Sequence, residues 1–257
     1  MNDNEKARYV IGIEAETYVW YEKDWQYDNK EHTHEHYQLT YVEEGYQYVH
    51  IERKVFLIPQ NYVVWIPKGK RHYTTSNAKF VNLMLAFFKT VPEFEFYHEV
   101  HVFPAPLVLK EMLLYAMKWN ALKDEDSEQK VFLHSFLNSL PNFCENKDFL
   151  HLPVPNDERL LVVCSYINDN YFNHLSIEEL ADIALMSGRS LQRIFKMDIG
   201  ITIKKYIQLV RILKSIELID KKQYTLSQIA YKVGYKSLSA FTSSYLAVMK
   251  SPAKLKK

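Results

Sequence analysis

LSIEELADIALMSGRSLQRIFKMDIG (Leu175–Gly200) and YTLSQIAYKVGYKSLSAFTSSYLAVMK (Tyr224–Lys250) are one pattern written twice. Ser176 and Thr225, Ala181 and Ala230, and Met186 and Tyr235 lie 49 residues apart; Leu191 and Phe241, and Phe195 and Tyr245, lie 50 apart. A repeat matched at five positions in order outranks any single motif. Each copy opens on a capping box, Ser176-x-x-Glu179 or Thr225-x-x-Gln228, in which hydroxyl and acid or amide satisfy first-turn amides reciprocally. Leu175 and Tyr224 precede the caps as hydrophobic staples. Ile177, Leu180, Ala181 and Ala184 form one face of a short helix. Turns follow at Leu185–Gly188 and Val233–Ser237, and a second helix then buries Leu191, Ile194 and Phe195, or Phe241 and Tyr245.

Two short helices, a brief turn and a small residue at the crossing make a helix-turn-helix. In that motif the second helix enters the major groove and its N-terminal residues meet base edges. Arg189, Gln192 and Arg193 share a face of the first such helix, with Ser190 and Lys196 flanking it. Arg suits guanine O6/N7, Gln suits adenine N6/N7, and the flanking pair suits phosphates. The second recognition helix offers Lys236, Leu238, Ser239, Thr242 and Ser243, with no Arg. The first copy is therefore expected to discriminate bases and the second mainly to position the protein. A solvated helix face is the bland alternative for Arg189 and Arg193. Between the copies Gly200 ends one helix and Thr202 caps the next. Tyr206, Val210, Leu213, Ile216 and Leu218/Ile219 give that helix an apolar stripe. Two reading heads fixed by it on one face would reach successive major grooves, roughly 34 Å apart.

The stretches LADIALMSGRSLQRIFKMDIGITIKKYI and IAYKVGYKSLSAFTSSYLAVMKSPAKLKK resemble the DNA-binding domain of the AraC/XylS family of bacterial transcription regulators. The resemblance implies that Arg189, Gln192 and Arg193, and Leu238, Ser239 and Ser243, sit where the family reads bases. The end departs from the family pattern: Val248–Pro252 lacks the usual glycine, and Leu255-Lys256 replaces a closing Tyr-Arg.

The net charge of +1 conceals an asymmetry. Residues 1–156 hold 16 Lys and Arg against 22 Asp and Glu, while residues 157–257 hold 16 against 9, a balance of −6 and then +7. A basic C-terminal half is the footprint expected for a polyanion such as double-stranded DNA. Cys144 and Cys164 fit no metal spacing, and two thiols suit a reducing cytosol. The N-terminal MNDNEKARYV lacks the apolar core of a signal peptide, and no run is long enough to span a bilayer. The expectation is a cytoplasmic protein with no membrane partner.

Residues 8–104 read as strands. Tyr37–Val42, Tyr46–Ile51, Val55–Ile58, Tyr62–Ile66 and Phe80–Phe87 are rich in β-branched and aromatic residues and are punctuated by Gly45, Pro59–Asn61 and Pro67–Gly69. Short strands at this spacing suggest a small barrel or jelly roll. His32, His34, His36 and Gln38 alternate, so a straight strand would turn all four to one side. With His72 in PKGKRH they resemble the two cupin motifs, in which histidines and a carboxylate converge inside the barrel. The carry-over gives His32, His34, Gln38 and His72, with Gln38 where a metal-binding cupin has Glu. Three readings stand: a polar effector pocket formed by these four, a divalent metal on His32, His34 and His72, or structural packing of histidines.

Leu109, Met112, Leu113, Ala116 and Met117 make one helical stripe, and Val131, Phe132, Phe136, Leu137 and Leu140 another, separated by Lys123–Ser127. They pack on the barrel or, as the family resemblance suggests, form a homodimer interface. The whole reads as a two-domain α+β chain: a cupin-like β-barrel at 1–105, connecting helices at 106–146, a linker at 147–157, and an all-α DNA-binding domain at 158–257 with helix-turn-helix units at about 176–197 and 225–246. The expected function is sequence-specific transcription regulation under a small-molecule effector, with RNA polymerase as a further partner and no catalytic residues. A constitutive DNA binder whose cupin half only dimerises, and a cupin metalloenzyme, are the alternatives.

Overall fold

The computed structural model describes residues 14–25, 30–122, 126–144 and 151–255. The N-terminal decamer, most of the acidic run at 123–127, the first part of the 147–157 linker, and Lys256 lie outside the described residues. The chain divides into two compact units, one holding most of the strands and two helices, the other holding residues 53–55 and the chain from Leu150 onward, with the helices from Glu158.

The first unit contains β1 (Thr17–Glu22), β2 (Tyr37–Glu44), β3 (Tyr46–Ile51), β4 (Lys54–Pro59), β5 (Tyr62–Ile66), β6 (His72–Thr75), β7 (Asn82–Phe88) and β8 (His101–Pro104). One sheet runs β1-β7-β2-β5-β8, and a second holds β6-β3-β4 in that order. Side chains alternate across each strand. Val42, Val64, Ile66, Leu83 and Val102 of the first sheet meet Val49, Ile51, Phe56 and Ile58 of the second in one buried cluster, so the sheets pack face to face. The ladders between described strands form two separate sheets, which suits the jelly-roll alternative of the sequence reading rather than a closed barrel.

The other face of the first sheet carries Leu39, Tyr41, Val63, Trp65, Ala86 and Phe88. It is covered by α1 (Leu107–Ala116) and α2 (Ser127–Phe143) through Leu109, Leu113, Leu133, Phe136, Leu137 and Leu140. Both faces of β2 are thus buried, and its alternate polar residues Gln38 and Thr40 are buried along with the apolar ones. The connecting helices are part of this unit's core. Asp126 caps α2, accepting from the amides of Glu128 and Gln129. Two expectations need correction. Val131 does not belong to the buried stripe: it is 68% exposed, and Leu133 takes its place. Phe80 lies outside β7 and is exposed, and the strand begins at Asn82.

The second unit contains α3 (Glu158–Asn170), α4 (Ile177–Ile183), α5 (Gly188–Ile199), α6 (Ile203–Asp220), α7 (Leu226–Lys232) and α8 (Leu238–Met249). Helix α6 is its axis. It packs against α3 and α5 and against α7 and α8, and Ile203, Tyr206, Val210, Ile212, Leu213, Ile216 and Ile219 are all buried on it. Leu160, Val163, Ile167, Leu180, Ala181, Leu191 and Phe195 join Tyr206 and Val210 in one core.

Candidate functional site

The helix pairs α4–α5 and α7–α8 are built by the same local chemistry. Ser176 accepts from the Glu179 amide at 3.1 Å, and Thr225 accepts from the Gln228 amide at 3.3 Å. Only the second pair completes the capping box, with the Thr225 amide donating to Gln228 Oε1 at 2.9 Å. In the first pair the Glu179 carboxylate accepts instead from the Tyr166 hydroxyl of α3, so the expected reciprocal bond is replaced by a tertiary one. Each turn closes on the small alanine. The Met186 amide donates to the Ala181 carbonyl at 3.0 Å, and the Tyr235 amide donates to the Ala230 carbonyl at 2.9 Å. Leu185 and Gly234, again 49 apart, both take positive φ, +52° and +88°. Ser187 and Ser237 then cap α5 and α8 by accepting from the Ser190 and Ala240 amides, a role the sequence reading missed.

With Leu191, Phe195 and Ile199 buried, α5 turns Arg189, Gln192, Arg193 and Lys196 to solvent. Among the described residues Arg193 makes one long contact, to Met197 Sδ at 3.6 Å, which leaves its guanidinium available to an incoming acceptor. Ser190 is half-buried, and its hydroxyl meets that of Ser187 at 3.0 Å. Lys236 just before α8, and Leu238, Ser239 and Ser243 on it, are exposed. Thr242 is half-buried and donates to the Ser239 carbonyl, so its hydroxyl is used within the helix.

A long-range clamp fixes the second pair. Arg211 of α6 donates through Nε to the Tyr171 carbonyl at 2.8 Å and through Nη2 to the Asn173 carbonyl at 2.9 Å. The same guanidinium lies 5.7 Å from the centre of the Tyr235 ring. Gln208 donates to Ser244 at 2.7 Å, and the Tyr235 and Ser244 hydroxyls pair at 2.6 Å. No local sequence signal marks the Arg211 and Gln208 bonds, whose partners stand 36–40 residues apart in the chain.

In the β-rich unit, β2 begins only at Tyr37, so His32–His36 do not form the straight strand expected of them. The segment nevertheless brings His32 and His34 to His72. The three ligand nitrogens lie within 4.8 Å of one another, and His32 is joined to His72 by an isolated β-bridge. His36 stays outside this cluster, its ring 6.5 Å from Phe87. Each clustered imidazole has Nδ1 against a backbone carbonyl: His32 on Lys30 at 3.1 Å, His34 on His36 at 2.7 Å, His72 on Lys70 at 2.8 Å. His34 Nε2 stands 2.8 Å from Gln38 Oε1, and Gln38 in turn donates to Thr40. Burial lowers the pKa of His34 and takes that of His72 down to about 3, so both rings are neutral at pH 7. Imidazoles that converge with their Nδ1 atoms anchored suit a borderline divalent cation or a polar ligand.

Among the described residues, no helix is long and apolar enough to cross a membrane. A family model described as a helix-turn-helix domain matches residues 180–255, and one described as an AraC-like ligand-binding domain matches residues 15–87. The chain is 22% identical over 222 residues to the HTH-type transcriptional regulator NimR of Escherichia coli, covering 83% of this chain and 77% of that one. It is 28% identical over 90 residues to the HTH-type transcriptional activator RhaS of an Enterobacter species, covering 35% of this chain and 32% of that one. Of solved structures, unsaturated fatty acid-bound ToxT of Vibrio cholerae aligns over 92% of each chain at 14% identity, with a TM-score of 0.36.

Proposed function

The chain belongs to the AraC family of DNA-binding transcription regulators, and on that premise we propose how its residues divide the work. Helices α4–α5 and α7–α8 act as two helix-turn-helix units. Arg189, Gln192 and Arg193 of α5 read base edges in one major groove, with Ser190 and Lys196 beside them on phosphates. Lys236, Leu238, Ser239, Thr242 and Ser243 seat α8 in the next groove, where hydroxyls and one apolar side chain contribute less discrimination than a bidentate Arg. The observation that carries this reading is the exposed cationic face of α5 set against a fully buried opposite face.

The β-rich unit binds a small-molecule effector among His32, His34, Gln38 and His72. Regulation then requires that the effector bind one DNA-binding state more tightly than the other. The exposed apolar residues of α1 and α2, Val108, Tyr115 and Val131, supply a face for a second copy of the chain. Light scattering of the full chain reads that directly, and a monomer with and without DNA would remove the dimer.

The test of the central assignment is a comparison of Arg193→Ala with Ser239→Ala on a panel of oligonucleotides selected by the wild-type chain. Arg193→Ala should relax preference at one base position, with a loss of about 1–3 kcal/mol. Ser239→Ala should keep the preference. The reverse pattern would overturn the division of labour.

A further inference from the structure

We propose that the groove between the two helix pairs of the second unit binds a small amphipathic organic anion, an apolar body carrying a carboxylate or sulfonate. The site is separate from the effector site of the β-rich unit and uses none of its residues.

A cavity of about 650 Å³ opens where the segment entering α4, the first turns of α6, and α8 with the turn before it come together. That volume lies within the range of roughly 300–1,000 Å³ typical of small-molecule sites. All of its lining residues belong to one compact unit.

Leu175, Ile177, Ile203 and Ile207 give the groove its apolar lining. Leu175, Ile177 and Ile207 are half-buried, so each keeps apolar surface uncovered. Covering such surface with the apolar body of a ligand is favourable.

The rest of the lining is basic or neutral. His174, Lys204, Lys205 and Arg211 contribute to it, and no Asp or Glu does. None of these four forms an ion pair among the described residues. Arg211 donates to the neutral carbonyls of Tyr171 and Asn173, and Lys205 donates to the Gln208 amide oxygen at 3.1 Å. Two ammonium groups and a guanidinium therefore meet in one groove with no carboxylate to compensate them. The positive end of the α6 dipole opens at the same place.

The two halves of the lining select the ligand together. A bare phosphate would answer the charges and leave the isoleucines uncovered. A neutral apolar molecule would do the reverse. An amphipathic anion answers both. Because the walls come from α4, α6 and α8, the occupant touches both helix pairs at once, and its binding is linked to how the pairs stand to each other.

The experiment uses the full chain labelled at its isoleucine δ1-methyls and confirmed folded by circular dichroism. The probe is 4-phenylbutyrate, with 4-phenylbutan-1-ol as the neutral analogue and inorganic phosphate as the bare anion. Methyl NMR at constant ionic strength should show saturable shifts at Ile177, Ile203 and Ile207, with the millimolar affinity expected of so small a ligand. Phosphate should produce no saturable shift, and the alcohol should bind at least about tenfold more weakly than the acid. Lys204 is exposed, so Lys204→Glu should leave the fold intact and weaken probe binding by about tenfold or more through like-charge repulsion. Lys221→Glu, at the other end of α6, should leave binding unchanged. No saturable shift at the three methyls, equal binding of acid and alcohol, equal shifts with phosphate, or indifference to Lys204→Glu would overturn the proposal. Shifts confined to Ile51, Ile58 and Ile66 would place the probe in the β-rich unit and overturn it as well. If the probe fails to bind while Lys204→Glu lowers the salt slope of DNA binding by about one or more, the groove serves the DNA backbone instead.

Discussion

Gly234→Ala should destabilise the helical unit far more than an ordinary surface substitution. Gly234 sits at φ +88° in the turn between α7 and α8. Placing an L side chain there costs about 1–2 kcal/mol. An added Cβ would also stand 2.8 Å from the Phe172 carbonyl oxygen and 3.0 Å from Arg211 Cζ and Nη2. The carbonyl is backbone, and Arg211 is held by its bonds to Tyr171 and Asn173. Displacing one such charged hydrogen bond costs about 1.5–3 kcal/mol. Alanine recovers about 0.4–1 kcal/mol through the unfolded chain. The net loss is about 2–4 kcal/mol, or a fall in Tm of at least about 10 °C for a unit of this size. Two controls isolate the causes. Gly200 has φ +83° with nothing within 4 Å of an added Cβ, so Gly200→Ala should lose only about 1 kcal/mol. Leu185 occupies the matching turn position in the first copy at φ +52° and is 93% exposed. Leu185→Gly should therefore stabilise, by about 0.5–1 kcal/mol. Urea unfolding of the full chain, followed by far-UV circular dichroism, measures all three. Equal losses at Gly234 and Gly200, or a destabilising Leu185→Gly, would refute the argument from the turn.

Three further outcomes follow from the packing and the exposed face. Lys196→Ala should weaken DNA binding nearly uniformly across sequences and reduce the slope of log affinity against log salt by about one, read by fluorescence anisotropy. Phe136→Ala removes a buried ring that joins α2 to Phe88 and should lower the stability of the β-rich unit by about 3–5 kcal/mol, leaving the helical unit's transition in place. Cys164 is buried on α3, and burial pushes its thiol up to about 11. It should resist iodoacetamide at pH 8 in the native chain and react on denaturation, as peptide mass spectrometry would show.

The helical unit was largely legible because its signals are local. Caps, small crossing residues and turn chemistry recur within a dozen residues, and the repeat supplied them twice. What escaped was tertiary: the Glu179–Tyr166 bond that displaces a capping box, and the Arg211 clamp on Tyr171 and Asn173. In the β-rich unit, strands with strong β-branched runs were visible, whereas β1, β6 and β8 were not. β6 and β8 are only four residues long, and β1 (TYVWYE) gains its definition from pairing with β7. The phase of α2 was misjudged at Val131 because Phe132 and Leu133 are adjacent apolar residues and only packing on the sheet selects between them. The convergence of His32, His34 and His72 was implied by the resemblance to the cupin motifs, and the three rings do meet. The carbonyls that fix their tautomers belong to the backbone and carry no mark in the sequence.

Two DNA-reading heads of unequal discrimination in one chain, as proposed for α5 and α8, would leave distinct marks on a selected DNA site. Methylation interference and hydroxyl-radical footprinting on a selected site measure this most directly. Two major-groove contact patches, on one face of the duplex and about 10–10.5 base pairs apart, are predicted, with Arg193→Ala abolishing interference at a single guanine in one patch only. A single patch, or two patches equally insensitive to Arg193→Ala, would contradict it.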